Sequence, residues 1–365
     1  MTSKSLRNVL KEKIQRYTFH RRIPSLVIAS YMYITNTPER VENVRKQLKN
    51  FDLSVLAPDK KAERKLLFDL FYSRAYYAIN YHEYFLYGLN RSKDASKKEY
   101  VGWLELYHYY IKLLKMGHPE FFAKKDKTYC MFRDFYHREL ISVYSKDDQA
   151  AFLSFFDRHQ AGIIKPAGSY GGKNIEILKR SDAIGPEQMW EKVKDRIPFV
   201  VEELIEQAPE MSAFYPNSVN TIRYNTFYHE GKLTKLQAAL RMGRGGSVVD
   251  NASAGGIYTL VDPDTGRILC PARSDANELF ENHPDTGAHF EGEYIPRWDE
   301  LNAIVEKVVQ VVPDQKLVGW DFAFSKDGWV LVEGNTTPGL QSFDLDHGMR
   351  PLVEKTFGQV VPLWK

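Results

Sequence analysis

The first third of the chain carries apolar residues at the three- and four-residue spacing of α-helices. In the stretch 60–89 the repeating positions are Leu66, Leu67, Leu70, Phe71, Tyr77 and Ile79. No glycine or proline interrupts this stretch before Gly88, so one helical face can continue along it. We therefore predict a mostly helical region from residue 1 to about residue 118, with a break at Pro119.

From Gly162 onward the pattern changes to short β-branched runs separated by Gly, Asn and Asp. Runs of this kind are typical of strands joined by turns. The predicted strands are 163–164, 175–178, 199–204, 221–228, 236–241, 256–261, 317–324 and 329–333. Helices are predicted at 186–195 and 298–312. The pattern as a whole indicates an α+β fold.

Composition narrows the class of protein. The 365 residues are 43% hydrophobic and 27% charged, which indicates a globular chain with more than one domain. Two cysteines exclude a disulfide framework, argue against a Cys-based zinc site and favour a cytoplasmic location. The apolar stretch 23–34 is shorter than the roughly 20 residues of a spanning helix, so we predict neither a transmembrane segment nor a secretory signal.

Charge is distributed unevenly along the chain. Residues 1–125 contain 24 basic and 12 acidic residues, whereas the remainder contains 26 basic and 35 acidic residues. Two interpretations stay open for the basic part. It is either the solvated face of a helical layer or a surface that approaches an anionic membrane or a phosphorylated substrate. We expect no nucleic-acid partner.

A predicted hairpin near the C-terminus groups three oxygen-bearing side chains. Alternation along the strand after turn 325–328 puts Glu333 and Asn335 on one face, and Asp321 can join them from the preceding strand. The surrounding residues are apolar, and a buried acid needs a cation or a hydrogen-bond donor. Three hard oxygen ligands without histidine or thiol suit Mg²⁺.

Residues 163–173 are a second candidate site: a strand that ends in Lys165, followed by a glycine-rich loop. Glycine-rich loops can lay backbone N–H groups on phosphate. It is not a Walker loop, because Lys173 is followed by Asn174. The apolar stretch 199–206 runs into acids and can offer backbone edges to adenine and a carboxylate to ribose.

These motifs, taken in order, resemble the ATP-grasp superfamily, and most of all its sugar-transfer-associated family, over roughly residues 120–350. They are Asp126-Lys127 at a helix start, Ile-Ile-Lys-Pro at 163–166, Val-Val-Glu-Glu-Leu-Ile at 200–205, Asp321, and Val-Glu-Gly-Asn-Thr-Thr-Pro-Gly at 332–339. The resemblance implies an ATP-grasp fold, in which two α+β subdomains clamp ATP, here preceded by a helix-rich region. The implied boundaries are 1–125, 126–205 and 206–365.

The resemblance also implies a set of nucleotide and metal contacts. The nucleotide contacts would be Lys127 and Lys165 at the phosphates, Gly168, Ser169, Gly171 and Gly172 in a closing loop, Glu202, Glu203 and Ile205 at the adenine, and Glu210 or Glu206 at the ribose. Mg²⁺ or Mn²⁺ would bind Asp321, Glu333 and Asn335.

One position departs from the related D-alanine ligases, which keep an arginine two residues before the first metal-binding acid. The chain has Gly319 there. Arg223 and Arg241 would then supply the positive charge, and Asn251 would lie near metal and substrate, as in related glutamate-type ligases.

The activity implied by the resemblance is amide formation through an acyl phosphate. The partners would be ATP, an amine, and the carboxylate of an anionic small molecule or carrier-linked sugar. No nucleophilic Ser, Cys or His is required. Two alternatives stay open: a kinase that phosphorylates a hydroxyl, and a nucleotide-binding regulator without turnover. The sequence leaves the oligomeric state open.

Overall fold

The computed structural model describes residues 21–35, 42, 44, 46, 48, 59–90, 97–167, 175–181, 184–340 and 348–357. Contacts divide the chain into two compact units. The first unit is Met1–Lys112 together with Gly339–Lys365, and the second is Leu113–Pro338.

Among the described residues, the N-terminal part of the chain is helical, and the strands begin at Leu140. The α-helices of the described residues are α1 (Arg22–Ile34), α2 (Lys60–Tyr77), α3 (Tyr81–Leu86), α4 (Trp103–Leu114), α5 (Lys125–Tyr136), α6 (Gln149–Arg158), α7 (Pro186–Val193), α8 (Pro209–Ser212), α9 (Trp298–Val308) and α10 (Arg350–Phe357). The strands are β1 (Leu140–Val143), β2 (Ala161–Pro166), β3 (Glu176–Lys179), β4 (Phe199–Glu203), β5 (Thr221–His229), β6 (Lys232–Met242), β7 (Ile257–Val261), β8 (Ala272–Ser274), β9 (Leu279–Phe280), β10 (Leu317–Ser325) and β11 (Gly328–Asn335).

The first unit is helical, as predicted for the N-terminal region, but the long helix expected over 60–89 is two helices. Its first part, α2, ends at Ala78, whose φ of 55° lies in the left-handed region. Asn80 then caps α3: its side chain accepts from the backbone N–H of Glu83, and the Glu83 carboxylate accepts from the N–H of Asn80. This capping box restarts the chain in a new direction.

The second unit begins with a four-stranded antiparallel sheet in the order β1-β4-β2-β3. Helices α6 and α7 pack on it through a largely aromatic layer. That layer contains Phe152, Phe155, Phe156, Met189, Trp190 and Val193. Neither β1 nor α6 was expected from the sequence.

A seven-stranded sheet in the order β11-β10-β5-β6-β7-β8-β9 forms the rest of the second unit. Trp298 of α9 stacks on Tyr224 of β5 with ring centroids 5.6 Å apart. Phe132 of α5 meets Trp320 of β10 edge-on at 5.2 Å. These contacts bury the apolar faces of α5 and α9 against the sheet that carries the predicted metal ligands.

The structure confirms the predicted α+β class with a helix-rich N-terminal region. The predicted hairpin turn is also present, because β10 ends at Ser325 and β11 begins at Gly328. Helix α9 is shorter than the predicted 298–312. Within the described residues, none of the helices has the length and apolar character needed to cross a membrane. The domain boundaries at 125 and 205 stay predictions.

Candidate active site

Two carboxylates lie opposite each other on the two strands of the C-terminal hairpin, away from its turn. Asp321 of β10 is paired with Glu333 of β11, and directly opposed residues point their side chains to the same side of a sheet. Asn335 joins them, because its Nδ2 donates to Glu333 Oε1 at 3.2 Å. The structure therefore brings together all three side chains that the sequence suggested as metal ligands.

Two arginines neutralise Asp321. Arg223 lies opposite Asp321 in the β5–β10 pair and donates to it from Nε at 2.5 Å and from Nη2 at 2.9 Å. Arg241 of β6 donates to Asp321 Oδ2 from Nη1 at 3.1 Å. Burial alone would raise the pKa of Asp321, but the two guanidinium groups lower it below the ordinary value. The two arginines therefore favour the ionised form of Asp321.

The same packing explains why glycine stands at position 319. A Cβ added to Gly319 would lie 2.5 Å from Pro338 Cβ, 2.7 Å from Asn225 Oδ1 and 3.2 Å from Arg223 Cδ. No side chain fits there without moving the backbone or the neighbouring strand. The positive charge beside Asp321 comes instead from Arg223 and Arg241, as the sequence suggested.

Asp250 fixes the second arginine from the other side. Arg241 Nη2 donates to Asp250 Oδ1 at 3.4 Å, and the Thr221 hydroxyl donates to the other Asp250 oxygen. Arg241 is thus held between two acids. Asn251, which the sequence suggested as catalytic, uses its side-chain oxygen to cap a short turn, accepting from the Ser253 N–H at 3.1 Å.

A second buried acid lies on the smaller sheet. Glu202 of β4 accepts from Lys165 Nζ at 2.9 Å, and from Arg138 Nε at 3.2 Å and Nη2 at 2.9 Å. Burial alone would raise the pKa of Glu202, but the charges of Lys165 and Arg138 lower it to about 2. Arg138 also donates to the Leu331 carbonyl at 2.6 Å, so one side chain joins β4 to β11.

Glu202, Lys165, Glu333 and Asn335 border a small cleft that is partly open to solvent. Its lining residues are Phe122, Ala123, Lys125, Thr128, Tyr136, Lys165, Glu202, Val332, Glu333, Gly334 and Asn335. Lys165, Glu202, Glu333 and Asn335 of the predicted set therefore share one cleft.

The lysine that α5 contributes to the cleft is Lys125. The sequence suggested Lys127, which is exposed and does not line this cleft. Two residues along a helix correspond to a rotation of about 200°, so Lys125 and Lys127 point to different sides. Burial lowers the pKa of Lys125, although the nearby Glu333 carboxylate opposes this shift. The three-residue spacing of Lys125 and Thr128 is the signal that could have identified the helix face.

The acid pair fits a hard cation. Burial and the neighbouring Asp321 charge both raise the pKa of Glu333, because two adjacent carboxylates resist simultaneous ionisation. A divalent cation would relieve this repulsion, and carboxylate and amide oxygens are the ligands that Mg²⁺ prefers. No cluster of three or more His, Cys, Asp or Glu side chains suited to a metal occurs in the part of the chain that is described. The candidate metal site therefore consists of Asp321, Glu333 and Asn335.

The other predicted nucleotide contacts are more dispersed. Glu203 points away from Glu202 and accepts from the Glu139 N–H at 3.2 Å. Ile205 is half-buried, Glu210 is exposed, and Glu206 is ion-paired with Lys326. The loop residues Gly168, Ser169, Gly171 and Gly172 lie outside the described residues. The roles of all these residues stay predictions.

Comparisons with known proteins identify a family. Residues 126–357 match the sequence model of the family described as sugar-transfer associated ATP-grasp. A search of curated proteins finds no match.

Solved structures with similarity to the chain include several ligases. D-alanyl-alanine synthetase A from Vibrio cholerae O1 biovar eltor is 14% identical, with a TM-score of 0.36 over 65% of this chain and 61% of that one. The D-alanine-D-alanine ligase from Coxiella burnetii is 10% identical, with a TM-score of 0.37 over 65% and 53%. L-amino acid ligase from Bacillus licheniformis is 10% identical, with a TM-score of 0.35 over 60% and 41%. The chain thus spans about three fifths or less of the length of these proteins.

Proposed function

The chain belongs to the sugar-transfer associated ATP-grasp family, and from this premise we propose that it is an ATP-dependent carboxylate–amine ligase. The reaction forms an amide through an acyl phosphate. Its acid is a sugar carboxylate, free or on a carrier of polysaccharide synthesis, and the reaction takes place in the cytoplasm.

The observation that carries the proposal is the Asp321–Glu333 pair with its two arginines. Arg223 donates two N–H groups to Asp321, and Arg241 donates one to Asp321 and one to Asp250, whereas each guanidinium has five N–H donors. Donors are therefore left over for a second carboxylate. Arginine grips carboxylates in a forked geometry that lysine cannot copy.

ATP would bind in the neighbouring cleft. Lys125 and Lys165 give the cleft positive charge for the phosphates, while Glu202 holds the Lys165 ammonium in place. Asp321, Glu333 and Asn335 would hold Mg²⁺ or Mn²⁺, which neutralises charge on the transferring phosphoryl group when bound. We assign Lys125 this role beside the sequence-based candidate Lys127.

The chemistry then needs positioning and charge rather than a protein nucleophile. A substrate carboxylate oxygen held by Arg223 and Arg241 attacks the γ-phosphorus, and the bond to the β–γ bridging oxygen breaks to release ADP. The amine nitrogen next attacks the acyl carbon, the bond to phosphate breaks, and the nitrogen loses a proton. Fixed cations stabilise the charge that develops in both steps.

Product analysis tests the proposal. With ATP, Mg²⁺ and a panel of uronic acids and amines, ADP and inorganic phosphate should accumulate in equal amounts only when acid and amine are both present. Glu333→Gln should slow this release about a thousandfold. The matched variant Glu300→Gln, at an exposed surface carboxylate, should leave it unchanged. ADP formed with a phosphorylated hydroxyl and no free phosphate would establish a kinase instead. ATP binding without turnover across the panel would favour a regulator.

A further inference from the structure

Helix α1 is apolar on two sides. Its Ser25 and Ala29 are fully buried where it packs on α2, and Tyr33 meets the Phe68 ring edge-on with centroids 6.1 Å apart. A helix that is apolar all round is ordinarily buried all round. Among the described residues, the contacts of α1 with α2 cover one side of it.

The uncovered side is a continuous apolar stripe. Its residues are Ile23, Val27, Tyr31 and Ile34, which are 76%, 61%, 60% and 79% exposed. Spacings of four, four and three residues put all four side chains on one helix face. Single exposed apolar residues are common, but an ordered stripe of this kind marks an interaction surface.

The sequence that contains α1 is basic. Residues 1–38 contain seven basic residues and one acidic residue. Arg22 begins the helix itself. An apolar helix face with flanking basic residues is suited to an anionic surface that also accepts apolar groups.

We propose that the Ile23–Val27–Tyr31–Ile34 face of α1 binds the surface of an anionic lipid bilayer. The helix has 13 residues, about 20 Å at 1.5 Å per residue, so it lies in the interface and does not span it. Tyr31 adds an aromatic ring with a polar tip, a group that is favoured at this depth. A second copy of the chain suits the face less well, because a twofold contact would bring identical basic residues together. The proposal is independent of the reaction at the cleft.

Vesicle sedimentation of the full-length protein tests this proposal. The lipids are phosphatidylcholine alone and an equal mixture with phosphatidylserine. We expect binding to the mixture only, weakening as ionic strength rises above about 0.1 M. Val27→Ser with Tyr31→Ser should lower the affinity about tenfold, because both apolar contacts are lost. Arg22→Gln, which leaves the stripe intact, should lower it about fivefold.

A matched control removes equally exposed apolar groups from the second unit. Val248→Ser with Leu279→Ser alters residues that are 61% and 60% exposed, and it should bind vesicles like the wild type. Circular dichroism checks that every variant stays folded. The proposal is overturned if the wild type ignores phosphatidylserine, or if both double variants lose affinity equally. A lipid-independent dimer that Val27→Ser with Tyr31→Ser dissociates would assign the face to a second copy instead.

Discussion

Arg138 forms a buried ion pair with Glu202 beside the cleft. It contacts Glu202 through two nitrogens and the Leu331 carbonyl through a third. Without Arg138, the buried Glu202 carboxylate would keep the contact of Lys165 with one oxygen and lose both hydrogen bonds to the other. We expect Arg138→Met to lower the free energy of unfolding by about 3 kcal/mol, measured by urea denaturation.

The matched control for Arg138 is Arg158, which is half exposed and pairs with Glu139. Solvent screens that pair, so Arg158→Met should leave the free energy of unfolding almost unchanged. If the two variants lost equal free energy of unfolding, burial would not make the Arg138–Glu202 pair more stabilising than the exposed pair.

Lys125 and Lys127 offer a second comparison at the residue scale. Lys125 lines the cleft, whereas Lys127 is exposed. If ATP phosphates bind in the cleft, Lys125→Met should weaken ATP binding about tenfold, because a charge-assisted contact is lost. Lys127→Met should change it little. Calorimetric titration with ATP measures both, and the reverse order would support the sequence-based choice of Lys127.

The sequence could suggest Asp321, Glu333 and Asn335 because strand alternation and one hairpin turn determine which side chains share a face. Arg138 and Asp250 could not be found this way. Arg138 follows the end of α5 and reaches its partner Glu202 only because β1 and β4 pair in the fold. Asp250 acquires its role only from the β5–β6 pairing that brings Thr221 and Arg241 beside it. Such long-range pairings leave no local pattern.

At the scale of elements, Glu83 joins two helices of the first unit. Its carboxylate accepts from the backbone N–H of Asn80 at 2.9 Å and from that of Trp103 at 2.7 Å, the first residue of α4. Burial raises the pKa of Glu83 from 4.5 to about 7. The folded protein therefore holds this proton more tightly than the unfolded chain.

The raised pKa of Glu83 makes the folded protein less stable as pH rises. A carboxyl group with a raised folded pKa stabilises the fold fully below pH 4.5, and that stability is lost as pH rises to about 7. Relative to Glu83→Gln, the wild type should lose about 3 kcal/mol of unfolding free energy between pH 4.5 and pH 8. Urea denaturation at several pH values measures this. The exposed control Glu306→Gln should follow the wild type, and a flat difference between wild type and Glu83→Gln would contradict the shift.

The sequence contains a signal for the break between α2 and α3, although the hydrophobic pattern does not show it. Helical periodicity continues through 60–89, and it alone predicts one helix. The spacing of Asn80 and Glu83 is that of a capping box, which signals a new helix start. By contrast, β1 has four residues, which is too short for periodicity to reveal. Its pairing with β4 creates it as a strand.

In the whole molecule, helix α10 belongs to the first unit although it follows the second unit in sequence. Arg350 of α10 donates to both oxygens of Glu105 in α4, at 2.8 Å each, and both side chains are largely buried. The residues are 245 positions apart, so no sequence pattern predicts the contact. The second unit, in contrast, is continuous in sequence, which is why its motifs in order were enough to suggest the family.

We propose that the arginines of the site hold a carboxylate that ATP, bound in the cleft, converts to an acyl phosphate. Hydroxylamine tests it most directly, because it replaces the amine and traps an acyl phosphate as a hydroxamate. The substrates are ATP, Mg²⁺ and glucuronate or galacturonate, either free or linked to a nucleoside diphosphate. We expect one hydroxamate for each phosphate released. Glu333→Gln should reduce hydroxamate formation about a thousandfold, as loss of charge-stabilising groups does in other enzymes. A stable phosphate ester of the sugar, formed without hydroxamate or free phosphate, would show that the protein is a kinase and not a ligase.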